Sequence, residues 1–268
     1  MKLLSLTLSE GLGLLTAFFT FSASAACAAE TPADTPSRID ISYMVTSGAF
    51  EAVMKDHLDI RQENGIRSYA ISSEGRAKGL LALTQPDRLV RDSEGVITAQ
   101  GTLRPVRFSD QHGNKLPKVA IFDWDNKLLT LQHKRGEEQK SLPRDTLDRL
   151  SFLYSFMFSP IEGKMVSLHE TDGRHLEPSR YAVSKETLDT PVGKLETIVL
   201  TKQLEKEGDR DKKIWLAVDH HMLPVRVVAT EKIGIVTDQM VTNISYAEKT
   251  ANSFKQGRLQ SLNHKASR

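Results

Sequence analysis

Apolar and polar residues alternate along most of the chain between residues 38 and 247. A period of two is typical of strands that bury one face and expose the other. The alternating runs lie at residues 38–45, 49–60, 67–74, 118–125, 127–135, 164–170, 174–183, 194–205, 213–219, 223–232 and 238–247. Short strands separated by Gly, Asn and Asp turns predict an antiparallel sheet in which successive strands are neighbours.

Two of the turns have residues that favour hairpins. Asp125 and Asn126 separate the runs KVAIFDWD and KLLTLQHKR, and Asp172 and Gly173 separate KMVSLHE from RHLEPSRYAV. Asn and Asp-Gly steps favour the tight turns that join antiparallel strands. The charged segment 205–212 is expected to be an exposed turn between two further strands.

One segment departs from the strand pattern. Residues 142–158, LPRDTLDRLSFLYSFMF, have a helical period, and we predict a helix there with Pro143 in its first turn. Asp145 and Asp148 lie near its N-terminal end, where the helix dipole favours carboxylates, and Asp145 is expected to pair with Arg149. A second, short helix is predicted at residues 73–85, although two glycines weaken it.

The second half of the predicted central helix has no polar face. Phe152 and Phe156 lie opposite a broad apolar face. That face comprises Leu147, Leu150, Leu153, Tyr154, Met157 and Phe158. A helix that is apolar all round has to be enclosed by protein. The chain is therefore predicted to be mainly β, a curved antiparallel sheet or half-open β-barrel with one central α-helix in its concavity. Alternatively, the side with Phe152 and Phe156 lines a ligand cavity.

The N-terminal residues have the order of a secretory leader. Lys2 precedes a long apolar run, and the small residues SASAACAA follow it. This pattern predicts a signal peptide at residues 1–29 and a periplasmic protein with no integral membrane span once the leader is removed. Residues 30–37 are predicted to be a linker, 38–247 a single β-rich domain and 248–268 a disordered basic tail.

Cys27 is the only cysteine of the chain, so no intrachain disulfide can form. The surrounding SAAC has some likeness to a lipidation motif, but Ser24 stands where such motifs usually have leucine. We therefore favour a plain leader over a lipoprotein anchored through Cys27.

Composition and charge exclude one class of partner. The formal net charge is +2, basic residues are dispersed and aromatic residues make up 6% of the chain. Nucleic-acid binders usually have a basic surface, and those that bind single strands add aromatic stacking positions. No nucleic-acid partner is expected.

The chain contains few residues in patterns that indicate catalysis. Asp123, Asp145 and Asp148 are candidates for a polar cleft, and a hydrolase using Asp123, Asp148 and a histidine stays open as an alternative. His220 and His221 are adjacent, so their side chains diverge in extended chain and a shared metal ion is not expected. No cofactor is predicted.

A set of motifs in a consistent order carries a family resemblance. They are Tyr43 with Gly48, Tyr69 with Gly79, GTLRP (101–105), FDW (122–124), RDTLDRLSFLY (144–154), TPVGKLET (190–197) and IWLA followed by LPVRV (214–227). In this order the chain resembles bacterial exported proteins grouped as domain of unknown function 3108. The resemblance spans roughly residues 38–246 and implies an exported β-rich domain without an established activity, so it assigns no catalytic residue.

These observations lead to one functional hypothesis and, besides the hydrolase, to one further alternative. The hypothesis is a non-enzymatic periplasmic protein that binds an apolar or envelope-derived ligand, a small molecule or a lipid, in the concavity of the sheet. Trp124, Phe152, Phe156 and Trp215 are the candidates for lining that site. The alternative is an envelope scaffold protein whose interior is fully packed. The sequence makes no prediction of oligomeric state.

Overall fold

The computed structural model describes residues 36–79, 88–205, 209–230 and 234–247. Within them the chain forms fifteen strands, one α-helix and a short 3-10 turn at Val218–His220. The strands are β1 (Arg38–Ser47), β2 (Phe50–Glu63), β3 (Ile66–Ala77), β4 (Leu89–Ile97), β5 (Leu103–His112), β6 (Lys118–Asp123), β7 (Leu128–His133), β8 (Gly136–Ser141), β9 (Thr146–Asp148), β10 (Met165–Thr171), β11 (Leu176–Thr190), β12 (Gly193–Lys202), β13 (Lys212–Ala217), β14 (Leu223–Thr230) and β15 (Val236–Ala247). The helix is α1 (Arg149–Ser155).

All fifteen strands belong to one sheet in the order β8-β7-β6-β5-β4-β3-β2-β1-β15-β14-β13-β12-β11-β10-β9. Strands that follow one another in sequence are therefore neighbours in the sheet, except β8 and β9, and the pairing of β1 with β15 joins the two halves. Every pair is antiparallel except β9 with β10, which is parallel. The sheet is curved and unclosed, with β8 and β9 as its outermost strands. The predicted fold class, mainly β with one central helix, is confirmed for the described residues.

The alternation of residue types places one face of the sheet in the core. In β1, Ile39, Ile41 and Tyr43 are at most 2% exposed, whereas Asp40 and Ser42 between them are partly exposed. The same phase relation holds along the neighbouring strands, because successive side chains of a strand point to opposite faces. The inward side chains form the concave wall that surrounds α1.

Helix α1 fills the inside of the curved sheet. It packs against β4 and β5 from one half of the sheet and against β10 and β14 from the other. Phe152 and Tyr154 are fully buried, Leu150 is almost so, and Phe156 is partly buried. The apolar helix is thus enclosed by strands, as its lack of a polar face predicts.

The helix is shorter than the predicted segment 142–158, and this prediction of its bounds is wrong. Thr146–Asp148 forms β9, in which Thr146 lies opposite His169 of β10. The helix begins only after Asp148, and Phe156 ends it in a turn. Pairing with a strand distant in sequence therefore competes successfully with the local helical preference.

The expected pair between Asp145 and Arg149 is also not found. Asp145 precedes β9 and lies outside the helix, so the two residues are not one helical turn apart. Its carboxylate instead lies 2.9 Å from Nδ1 of His169. Arg149 is the first residue of α1 and points toward a cleft that is described below.

Three strands of six or more residues were not among the predicted runs. They are β4, β5 and β8. The inward positions of β4 include Ser93 and Gly95, and β5 buries Asp110, so neither strand has a continuous apolar phase. Strand β8 is an edge strand with mostly exposed, charged residues, which suits an edge because charge opposes pairing with another chain.

The short helix predicted at residues 73–85 is wrong over its first residues, because β3 continues to Ala77. Residues 80–87 lie outside the described ranges. The predicted signal peptide, most of the linker and the basic tail also lie outside them, as does Cys27. Within the described part of the chain, no helix has the length and apolar character needed to cross a membrane.

Candidate functional site

A half-open cleft of about 420 Å³ lies beside α1, between the two halves of the sheet. Its walls come from α1, from β1, β2 and β4 on one side, and from β10 to β15 on the other. Ligand pockets in proteins commonly have volumes of about 300–1,000 Å³ and lie in such concavities. The position of the cleft follows from the fold, since α1 occupies only part of the space that the curved sheet surrounds.

Part of the wall of the cleft is apolar. Its side chains are contributed by α1 and by strands from both halves of the sheet. They are Val45, Met54, Leu89, Leu150, Leu153, Val227 and Ala229. Leu153, on the helix, is only partly buried and faces this space. An apolar surface that remains accessible to water gains free energy when an apolar molecule covers it, by about 25 cal/mol per Å².

The wall of the cleft also contains a buried ion pair. Nζ of Lys212 donates to Oε2 of Glu170 at 2.9 Å, and solvent reaches only 20% and 14% of the two side chains. Tyr181 donates its hydroxyl proton to the other carboxylate oxygen of Glu170. The ammonium group of Lys212 also lies 4.8 Å from the centre of the Phe152 ring. Lys212 and Glu170 thus each have at least two partners in the wall of the cleft.

The surroundings change the acid–base properties of this pair. Burial opposes ionisation of Glu170, but the charge of Lys212 and the hydrogen bonds from Tyr181, Lys212 and Ser179 outweigh it, so the pKa of Glu170 is lowered. Burial lowers the pKa of Lys212, although the charge of Glu170 opposes this effect. Burial beside the Glu170 carboxylate raises the pKa of Tyr181. The pair is therefore a charged, hydrogen-bonded unit with a neutral phenol beside it.

Besides Lys212, four cationic residues line the cleft: Arg91, Arg149, Lys202 and Arg210. Arg149 begins α1 and Lys202 ends β12, and both are partly buried. The charges of Arg149 and Lys202 both contribute to lowering the pKa of Lys212. Among the residues that the structure describes, neither Arg149 nor Lys202 has a carboxylate within ion-pair distance, although Asp172 lies close enough for Arg149 to help lower its pKa.

The helix that carries Arg149, Leu150 and Leu153 is held in place by a buried cap. Oδ1 of Asp148 accepts hydrogen bonds of 2.9 Å from the backbone N–H groups of Leu150 and Ser151, and Ser93 donates to its Oδ2 at 2.7 Å. The hydroxyl of Ser151 accepts from the backbone N–H of Asp148, which completes a capping box. Burial raises the pKa of Asp148, and its hydrogen bonds only partly offset this. The first residues of α1 are thereby fixed against β4.

A second buried polar chain fixes the other side of the helix. Tyr154 donates to Asp56 of β2 at 2.7 Å, and Tyr43 of β1 donates to the carbonyl oxygen of Pro224 at 2.8 Å. Burial raises the pKa of Asp56 even though Ser73 and Tyr154 bond to it. The hydroxyl groups of Tyr43 and Tyr154 lie 3.5 Å apart, so this chain of contacts connects α1 to β1, β2 and β14 and positions the helix.

The four predicted ligand-lining residues lie outside the wall of this cleft. Phe152 is fully buried directly behind Lys212 and Tyr181, and Phe156 packs edge-on against it at 5.5 Å. Trp124 stacks on Phe122 and donates to the carbonyl oxygen of Pro105. Trp215 lies between the cationic groups of Lys213 and Arg226. No bound molecule tests the four positions, so ligand contact at them stays a prediction.

The three predicted carboxylates lie at separate places. Asp123 accepts two hydrogen bonds from Asn126 in the β6–β7 turn. Asp145 bonds to His169 in front of β9, and Asp148 is the buried helix cap. Each therefore has its own structural partner, and the carboxylates that line the cleft beside α1 are different residues.

A second concavity lies on the outer face of strands β2 to β5, with a volume of about 300 Å³. His57 lines it, with Nδ1 at 2.5 Å from Asp40 and Nε2 at 3.1 Å from Asp59. Within the described ranges no group of three His, Cys, Asp or Glu side chains is arranged to hold a metal ion. His220 bonds to the hydroxyl of Tyr246 at 2.8 Å.

The residues that the sequence interpretation missed are Glu170, Tyr181, Lys212 and the cation Lys202. A partial signal was present, since Lys212 is in phase with the buried Ile214 and Leu216 of β13. Glu170 is likewise in phase with the buried Leu168 of β10. A charged residue at an inward position needs a partner, but which residue that partner is depends on the order of the strands.

The fold and the cleft define a class of β-rich protein with a half-open, helix-filled sheet. The family described as "Protein of unknown function (DUF3108)" matches residues 40–241, and the chain belongs to this family, which confirms the resemblance noted from the motifs. No curated protein matches the chain.

Two crystal structures are similar to the chain at low sequence identity. A β-barrel-like protein of domain of unknown function DUF1849 from Brucella abortus is 8% identical, with 80% of this chain and 99% of that chain covered and a TM-score of 0.49. A DUF1329 family protein from Desulfovibrio piger is 11% identical, with 82% and 90% covered and a TM-score of 0.26.

Proposed function

We propose that this chain is an exported periplasmic protein that binds a small amphipathic molecule, such as a lipid or a lipid fragment, in the cleft beside α1. The observation that carries the proposal is the mixed composition of the wall of the cleft. Leu150, Leu153 and Met54 are apolar, whereas Arg149 and Lys212 in the same wall are charged. A molecule with an apolar chain and a polar head can contact both kinds of residue at once.

The size of the cleft supports a ligand of moderate length. A volume of about 420 Å³ holds roughly fifteen heavy atoms, at the ~30 Å³ that one water molecule occupies in the liquid. This corresponds to an alkyl chain of about twelve carbons with a small head group. The half-open shape allows a longer chain to continue into solvent.

Binding without catalysis is the form of the proposal that suits the titratable groups. A general base works best when its pKa lies near the operating pH. The pKa of Glu170 is instead lowered, and both of its oxygens accept hydrogen bonds, from Tyr181 and Lys212. Asp172 is occupied by the backbone N–H groups of Arg174 and His175 in the β10–β11 turn. These groups are arranged to hold the wall of the cleft.

Binding is tested with dodecanol, a neutral twelve-carbon amphiphile, at concentrations below self-association. We expect saturable binding in isothermal titration and a rise in melting temperature. Leu153→Asp places a charge in the apolar wall and should weaken binding at least tenfold. Ile121→Asp is the matched control because Ile121 is 39% exposed on the outer face of β6. Equal binding by both variants contradicts the proposal, as does a parent protein that binds neither dodecanol nor a charged amphiphile of the same chain length.

Export is tested separately. The leader-like N-terminus supports it, because a basic residue, an apolar run and small residues follow one another there. The full-length chain is expressed in a Gram-negative host and the mass of the mature protein is measured after osmotic release. A product that starts within residues 26–30 supports export, whereas an uncleaved chain in the cytosol contradicts it.

A further inference from the structure

Two partly buried cations of the cleft lack an ion-pair partner. Arg149 and Lys202 are partly buried and, among the described residues, have no carboxylate within ion-pair distance. The buried carboxylate of Glu170 is already bonded to Lys212 and Tyr181. The partly buried part of the cleft therefore contains positive charge that no carboxylate within ion-pair distance balances.

The other carboxylates of the cleft do not pair with these two cations. Asp172 accepts from two backbone N–H groups and lies close enough to Arg149 for their charges to interact. Asp209 is partly buried and accepts from the backbone N–H of Glu205. Glu177 and Asp211 also line the cleft but are exposed, where water screens their charge. Bringing three cations together in a partly buried site costs free energy unless an anion accompanies them.

From this arrangement we infer that the head group of the ligand is anionic, a carboxylate or a phosphate, and that Arg149 and Lys202 bind it while its alkyl chain lies on Leu150 and Leu153. This inference rests on the proposed function and adds the charge of the head group to it. Arg149 is suited to the role because its planar guanidinium can donate two parallel hydrogen bonds to either group. It is also adjacent to Leu150 in sequence, so head and chain contacts arise from the same helix.

Lys212 has a supporting role in this arrangement. Its ammonium group is held by Glu170 and by the Phe152 ring, so it is less available to a ligand than the other two cations. Its positive charge nevertheless adds to the local field that an anion meets. The two residues to change are therefore Arg149 and Lys202.

The experiment compares four amphiphiles with the same twelve-carbon chain: dodecanoate, dodecyl phosphate, dodecanol and dodecyltrimethylammonium. Each is titrated into the full mature protein below its self-association concentration. Both anions are expected to bind at least tenfold more tightly than dodecanol, and the cation more weakly than dodecanol. The advantage of the anions should fall as the salt concentration rises. The ratio of the affinities for dodecanoate and dodecyl phosphate then distinguishes a carboxylate head group from a phosphate head group.

Variants assign the effect to the two cations. Arg149→Met and Lys202→Met remove the charge and keep an unbranched apolar side chain, and each should weaken the binding of the anions about tenfold, the loss of one contact to a charged group. Dodecanol binding should change less than twofold. Lys55→Met is the control because Lys55 is exposed on β2 outside the cleft. Circular dichroism and melting temperature confirm that each variant is folded.

The outcomes separate the two proposals. Equal affinity for all four amphiphiles, or a preference for the cation, overturns the anionic head group while leaving amphiphile binding intact. Anion preference that persists in both methionine variants overturns the assignment to Arg149 and Lys202. If none of the four amphiphiles binds, the proposed function itself is overturned, and the inference with it.

Discussion

Replacing Asp148 by alanine should destabilise the protein because this one carboxylate closes the N-terminal end of α1. It accepts from the N–H groups of Leu150 and Ser151 and from the hydroxyl of Ser93, and it is fully buried. Loss of a helix cap costs about 0.5–2 kcal/mol. A buried hydroxyl left without its acceptor costs about 1–3 kcal/mol, although Tyr69, 3.4 Å from Ser93, can accept part of that bond.

The expected loss for Asp148→Ala is therefore about 2–4 kcal/mol in the free energy of unfolding. It is measured by urea unfolding at pH 7, followed by tryptophan fluorescence. Asp148→Asn keeps a side-chain oxygen for the two N–H groups and removes the buried charge, so it should cost less than about 1 kcal/mol. Asp125→Ala, in the exposed β6–β7 turn, is the control and should change the free energy by at most about 0.5 kcal/mol.

The comparison of aspartate with asparagine also has a predicted pH dependence. Burial raises the pKa of Asp148 above its ordinary value of 3.8. Its contribution to stability is therefore greatest below pH 3.8 and is lost as the pH rises through the raised pKa. Asparagine has no such dependence, so the stability difference should move in favour of Asp148→Asn between pH 4 and pH 7. A loss below about 0.5 kcal/mol for Asp148→Ala, or equal losses for both variants, would refute the role of the cap.

Two further predictions concern the interior. Phe152→Ala should cost about 3–5 kcal/mol in urea unfolding because the ring is fully buried, and a loss under 1 kcal/mol would show that the site is loosely packed. Burial opposes ionisation of Asp110, but His112, Arg91 and Lys118 outweigh it and lower the pKa of Asp110 below its ordinary 3.8. The stabilisation from the Asp110 carboxylate is present above pH 3.8 and is lost as the pH falls below that value. Asp110→Asn should therefore lower the free energy of unfolding by about 2 kcal/mol at pH 7 and by progressively less below pH 4. A destabilisation that does not change with pH would contradict this prediction.

The strand order was the part of the fold that local patterns predicted best. Hairpin turns at Asp125-Asn126 and at Asp172-Gly173 join strands that are neighbours in the sheet, as their residues indicate. Turn chemistry acts within four residues, so it is legible without the rest of the molecule. Strand β4 was missed for the opposite reason. Its inward Ser93 is polar because it bonds to Asp148, and that partner is known only from the folded chain.

The candidate site was much less predictable than the fold. Large aromatic residues were the natural candidates for a ligand surface, but Phe152 packs behind the wall of the cleft while Leu153 lies in it. Helical periodicity identifies the faces of a helix but not which face a neighbouring strand covers. The cations Arg149 and Lys202 come from α1 and β12, and their proximity follows from the order of the strands in the sheet.

The amino-acid sequence by itself determined a mainly β chain, a helix that has to be enclosed, and the family to which the protein belongs. These features depend on alternation, turns and motif order, which act over a few residues at a time. Only the tertiary structure decided where the helix begins, since β9 pairs with β10 in place of extending α1. It also decided that Glu170 meets Lys212 across 42 residues of sequence. Contacts of this kind depend on strand order and register, which the whole curved sheet sets together.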